Sequence, residues 1–125
     1  KVHYTFIDNF YLNIKKNIIF DNKNIYKDFL TTRKFCEILQ KLINLNAHGI
    51  FNISIGKKIF LKDIVKWLNF HNSKKNYKIL KIPNNFNKDC FYLNNSKLKK
   101  KIKVKFTKSE LKKYCIQISK NYFKK

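Results

Sequence analysis

Tyr11 and Lys15 stand in Y-x-x-x-K spacing. On a helix that spacing puts a phenol and an ammonium on one face, where a tyrosine acid and a supporting lysine could move a proton. Tyr77 and Lys81 repeat it in a segment that reads as a strand, where residues four apart stand too far from each other for that chemistry. With 29 lysines and arginines in the chain, the spacing is expected to arise by chance. The seven acidic residues are scattered and offer no obvious carboxylate pair. No G-x-S-x-G, Walker or G-x-G-x-x-G sequence is present. Gly49 and Gly56 are the only glycines, too few for a loop whose backbone must approach a pyrophosphate. Cys36, Cys90 and Cys115 form no C-x-x-C pair, and His3, His48 and His71 have no metal-like spacing to them. Cys36 and Cys115 fall in or beside helical apolar stripes, so both are expected as small core residues in a reducing compartment.

The net charge of +22 invites a nucleic-acid reading. Against it, Arg33 is the only arginine, and arginine is the usual bidentate partner of guanine and phosphate. Lysine, asparagine, isoleucine, phenylalanine and tyrosine are all abundant together and share A/T-rich codons, so base composition accounts for the basic balance. Nucleic acid is therefore not the expected partner. The alternative, a stand-alone basic module for nucleic acid or another polyanion, would use "KLKKKIKVKFTKSELKK" at 97–113.

At 125 residues, 44% of them apolar, the chain can build one core. No apolar run approaches a membrane span and no signal-peptide pattern is present, which leads to the expectation of a cytoplasmic protein. Methionine is absent even at position 1, so the chain is expected to be part of a longer one.

The elements that must position any site follow from periodicity. Residues ~4–16 read as a helix with Phe6, Ile7, Phe10 and Ile14 on one side. "NIIF" and "IYKDFL" read as short strands around a "DNKN" turn. Thr31 or Thr32 caps a helix whose buried face would be Phe35, Ile38, Leu39, Leu42 and Ile43, ending near Gly49. Residues 50–55 carry the apolar run Ile50, Phe51, Ile53 and Ile55 and read as a strand covered on both faces. Gly56 then turns the chain towards a helix striped by Leu61, Ile64, Val65 and Leu68. "YKILKIP" follows as a strand closed by Pro83, so the helix between two strands favours a parallel sheet. A short "CFYL" strand, a short basic helix and a last helix complete the order. Thr107 and Glu110 suggest a capping box for that last helix, and Leu111, Tyr114, Cys115, Ile118 and Tyr122 its apolar face. The expected fold is α/β, with short, partly parallel strands and four to five helices.

The order and spacing of several motifs resemble the C-terminal part of the extended short-chain dehydrogenase/reductase family, the NAD(P)-dependent sugar-nucleotide epimerases, dehydratases and reductases. The motifs are Lys27-Asp28-Phe29 before a helix, Gly49-Ile50-Phe51-Asn52-Ile53-Ser54 followed by Gly56, Lys62-Asp63-Ile64, and Leu93-Asn94-Asn95-Ser96-Lys97-Leu98. The resemblance spans nearly the whole chain. It implies a Rossmann-type enzyme whose missing N-terminal half binds NAD or NADP and supplies the catalytic residues, while this part covers a nucleotide-sugar substrate and is inactive alone. It implies substrate-binding roles for Lys27 and Asn87, where the family carries arginines. Lysine keeps the charge without the bidentate fork, and Asn87 has no charge. An acidic pair usual in the family is replaced by Arg33 and Lys34. Asp28 and Asn52 are expected to bond loop backbone, Asn94, Asn95 and Ser96 to shape a turn, and Phe51 and Trp67 to serve the core.

Overall fold

A computed structural model describes residues 3, 5–21, 24–74, 76–81 and 90–124. Asn87 and Pro83 lie outside the described residues. Among the described residues the fold is mixed α/β, with five helices and four short strands. The helices are α1 (Phe6–Lys15), α2 (Thr32–Asn44), α3 (Leu61–Leu68), α4 (Ser96–Lys101) and α5 (Lys108–Phe123). The strands are β1 (Ile18–Asp21), β2 (Tyr26–Lys27), β3 (Ile59–Phe60) and β4 (Lys78–Lys81). No helix among these residues is long and apolar enough to cross a membrane.

Local chemistry sets the helix starts. Thr5 and Asp8 form a reciprocal capping box on α1, which satisfies two otherwise unpaired backbone N–H groups. The Thr5 hydroxyl and backbone hold the Asp8 carboxyl below its usual range. Thr31 accepts from the Lys34 N–H and caps α2. The box expected on α5 does not form: Thr107 makes no cap hydrogen bond and meets the Ser109 hydroxyl instead. Its expected partner, Glu110, is taken by Lys34 across the molecule.

The core is one cluster. Ile38 and Leu42 of α2, Ile64 and Leu68 of α3, Leu98 of α4, and Leu111 and Cys115 of α5 close around Ile55 and Ile59. Phe10, Tyr11 and Ile14 add α1 to it. Helix α3 packs on α5, and α1 on β1.

β1, β2 and β4 lie in "NIIF", "IYKDFL" and "YKILKIP", where strands are expected, but their pairing differs from the sequence expectation. β1 runs parallel to β4, with Ile19 opposite Ile79 and Phe20 opposite Leu80. β2 is antiparallel to β3, with Tyr26 opposite Phe60 and Lys27 opposite Ile59. β3, the two residues immediately before α3, lies in what reads as a helix lead-in. Residues 50–55 adopt no strand ladder, and neither does "CFYL". An apolar run identifies a segment with β character; it cannot supply the neighbour whose N–H and C=O groups make a strand. Ile50 is 86% exposed, so its side chain has no cover among the described residues.

Helix α2 also departs from expectation. Ile38 and Leu42 are buried, but Phe35, Leu39 and Ile43 are exposed, Ile43 by 68%. The stripe is wider than the core beneath it. Cys36 is likewise exposed rather than in the core, whereas Cys115 is buried. Phe51 and Trp67 are half-buried and pack against the core.

Candidate functional site

The three motif segments, distant in sequence, meet at one carboxylate. Asp28 follows β2 directly, so its position is fixed by the pairing of Tyr26 and Lys27 with β3. Its Oδ1 accepts from the Ile55 N–H at 2.9 Å, and its Oδ2 from the Gly56 N–H at 3.0 Å and the Leu93 N–H at 3.3 Å. A carboxylate satisfying backbone donors from two other loops acts as a brace, because each charge-assisted bond fixes a segment that lacks its own ladder.

Further bonds zip the 49–56 segment to the 93–98 segment. Asn52 donates to the Asn94 carbonyl at 2.9 Å, and buried Asn95 donates to the Ser54 carbonyl at 2.9 Å. Asn94 accepts from the Ser96 N–H at 2.9 Å, the local turn expected of an asparagine before a helix. Lys97 donates to the Ile50 carbonyl at 2.8 Å, and its ammonium lies 4.7 Å from the Phe51 ring centroid. Gly56 has φ +68°, and a Cβ there would come within 2.4 Å of Asn95 Oδ1. Gly49 has φ +103°, and a Cβ there would meet Lys97 Nζ at 3.2 Å. The bare faces of both glycines are thus filled by the start of α4. Neither is an open cradle for a pyrophosphate, so the chain's glycines do not fit a dinucleotide.

Lys27 is half-buried at the end of β2, and its ammonium lies 5.9 Å from the centroid of the Phe91 ring. Phe91 is 49% exposed. The 90–93 segment therefore offers an aromatic face beside a lysine, which the strand reading of "CFYL" hid. The sequence carries a signal of it: two adjacent aromatic residues, Phe91 and Tyr92, follow a polar stretch of sequence without an alternating apolar partner. Of the two residues given substrate-binding roles by resemblance, Lys27 sits at this constellation and Asn87 lies outside the described residues.

The other chemical candidates resolve as structure. Tyr11 is buried, stacks on Tyr122 at 3.9 Å between centroids and donates to the Leu68 carbonyl at 3.3 Å. Burial, then the neighbouring Cys115 and Tyr122, push its phenol well above the ordinary range. Lys15 is exposed, so the Y-x-x-x-K pair presents no paired face to a ligand. Tyr77 bonds Asn72. Burial pushes the Cys115 thiol up to about 11, leaving it protonated and unreactive at neutral pH. Among the described residues no group of histidine, cysteine and carboxylate side chains could hold a metal ion.

No protein-family model, curated protein or solved structure matches the chain.

Proposed function

We propose that this chain is the substrate-side portion of a Rossmann-type, NAD(P)-dependent enzyme acting on a nucleotide-sugar by epimerisation, dehydration or reduction. One observation carries the reading: Asp28 binds Ile55, Gly56 and Leu93 backbone together, so the separated motifs are parts of one constellation. Lys27, held at its rim, is placed to meet a ligand phosphate as a point charge. NAD or NADP, held by a partner half, would supply hydride chemistry; this chain's own residues bind and orient the substrate and shield it from water.

A bare flank supports the existence of that partner. Phe35, Leu39, Ile43 and Ile50 are exposed, and Leu39 and Ile43 line a groove of about 450 Å³ with Leu42, Ala47, Gly49 and Phe51. The extended 50–53 segment beside the groove has no ladder of its own. The β1–β4 pair leaves Phe20 and Ile79 exposed, whereas parallel strands are ordinarily covered on both faces. The partner proposed for the flank is the N-terminal nicotinamide-binding half, in the cytoplasm.

The test is a titration of the chain, followed by backbone and aromatic NMR, with a nucleotide-sugar and with NADH. The nucleotide-sugar should move resonances of Lys27, Asp28 and the 91–93 segment, and NADH should move none. Shifts caused by NADH alone would reverse the assignment.

A second reading, a basic module for nucleic acid, has one observation in its favour. Lys99, Lys101, Lys103 and Lys105 are exposed, while Ile102 and Phe106 are buried between and beside them. It requires affinity for mixed-sequence RNA or DNA that falls steeply with salt. A flat, weak response would remove it.

A further inference from the structure

The backbone of the 50–54 segment is used along one edge. The Ile50 carbonyl accepts from the Lys97 ammonium at 2.8 Å, and the Ser54 carbonyl from the Asn95 side chain at 2.9 Å. Between them exposure alternates: Ile50 and Asn52 are exposed, whereas Phe51 and Ile53 are half-buried and pack against the core. A period of two marks extended backbone, in which the N–H and C=O of one residue point to one edge and those of the next to the other. Residues 50 and 54 face the start of α4, so the peptide groups of Phe51 and Ile53 face away from it. Those groups have no hydrogen-bond partner among the described residues.

The groove of about 450 Å³ lies beside them. Phe51 and Ile53 line it together with Leu39, Leu42 and Ile43 of α2. One cavity thus joins an unpaired strand edge to the outward apolar face of α2, where Leu39 is 40% and Ile43 68% exposed. The edge decides the shape of the occupant. A helix satisfies its own peptide groups and would leave Phe51 and Ile53 unpaired, whereas an extended strand pairs with both. Charge decides its sign. A second copy is disfavoured, because a chain of net charge +22 with seven acidic residues repels itself. Lys97 Nζ lies 3.2 Å from where a Cβ on Gly49 would stand, and Gly49 lines the groove. That ammonium has no carboxylate partner among the described residues.

We propose that residues 51–53 are a docking edge for a β-strand of the nicotinamide-binding half. The strand lies in the groove, rests alternate apolar side chains on Leu39 and Ile43, and sets a carboxylate at the Lys97 end. The two-part reading supplies only the identity of the polypeptide; the open edge and the groove stand without it.

Hydrogen exchange of the 125-residue chain, followed by NMR, tests this. The probe is a short blocked peptide of alternating valine and threonine ending in glutamate. At about millimolar peptide, the Phe51 and Ile53 amides should gain at least about tenfold protection, and the Asn52 amide none. Ile53→Pro removes an edge donor that bonds nothing in the chain and should weaken the peptide at least about tenfold, whereas Ile53→Val should bind as before. Circular dichroism checks that both variants are folded. Methylating the peptide's backbone nitrogens keeps its side chains and should abolish binding without touching the chain. Equal binding of the methylated peptide would reduce the contact to apolar adhesion and overturn the edge. Protection of the same amides by raising chain concentration alone would point to a second copy and overturn it too. Equal affinity for a lysine-ended peptide would overturn the acidic end. No protection at all would overturn the edge outright; if the nucleotide-sugar still shifts Lys27, the proposed function survives that loss. Strand binding without any nucleotide-sugar shift would support the edge and contradict that function.

Discussion

Asp28 organises three loops at once, so its removal should reach further than an ordinary surface substitution. Asp28→Asn keeps the shape but sets an amide N–H₂ against backbone donors. A loss of about 2–3 kcal/mol in unfolding free energy is expected by chemical denaturation, since bonds to a charged acceptor are lost and donors are left unpaired. Gly56→Ala adds a Cβ at φ +68°, where Asn95 already sits. Backbone strain of about 1–2 kcal/mol combines with about 1 kcal/mol or more from displacing Asn95 from the Ser54 carbonyl. If the contact is the cause, Asn95→Ala and Gly56→Ala should be strongly non-additive, because removing Asn95 makes room for the methyl group. Simple additivity would show that the approach of Asn95 to Gly56 is unimportant. The thiols give a simpler check: an aromatic disulfide reagent should label exposed Cys36 in the native chain and buried Cys115 only after unfolding.

At the scale of elements, α2 carries two separate assignments on its two sides. Lys34 bridges α2 to α5 through Glu110 at 3.0 Å and also meets Glu37 at 3.0 Å. Its partial burial works against the charge, but the two carboxylates outweigh that and raise its pKa. On the outward side, Ile43→Lys should leave the stability of the isolated chain within about 0.5 kcal/mol, because Ile43 is already exposed. On the proposed function it should nevertheless abolish assembly with the proposed cofactor-binding half, measured by co-purification of the two parts. Retained assembly would mean that this face is not the contact.

Much of the helical frame was legible in the residues. The periods of α2, α3 and α5, the Thr31 cap and the turn at Gly56 follow from side-chain chemistry within a few positions. Three short strands were legible as well, since β1, β2 and β4 fall in "NIIF", "IYKDFL" and "YKILKIP"; β3 and the pairing of the strands were not. β3 is only two residues and exists because Tyr26 and Lys27 lie opposite it, a fact of tertiary placement. The apolar run at 50–55 carries β character without a partner, and the stripe on α2 marks an apolar face without saying what covers it. The site divided in the same way: Lys27 and Asp28 could be singled out as a motif, whereas Phe91 became a candidate only when folding brought it to that motif.

For the molecule as a whole, the shifted groups predict alkaline lability. Cys115 is raised from about 9 to about 11, Tyr11 is raised from its ordinary value near 10, and Lys34 is raised above its ordinary 10.5. In each case the folded state holds its proton more tightly than the unfolded state does. The stability these three groups contribute is therefore full below about pH 9 and declines as pH rises through 9–11, as the unfolded chain loses protons first. Denaturant midpoints across pH 8–11 should fall, beginning with the thiol, and Cys115→Ala should delay the onset. His71 works at the other end: burial and the nearby Lys124 and Lys120 lower its pKa, so its protonation below about pH 6.5 opposes folding. The same molecule combines a closed core with an apolar flank, an unladdered segment and Lys27 beside the Asp28 brace. The proposed reading takes those features as one half of a two-part enzyme. The most direct measurement is the nucleotide sequence immediately upstream of the Lys1 codon. The account predicts an in-frame extension encoding a G-x-x-G-x-x-G strand–turn–helix; a stop codon followed by an independent start just before Lys1 would contradict it.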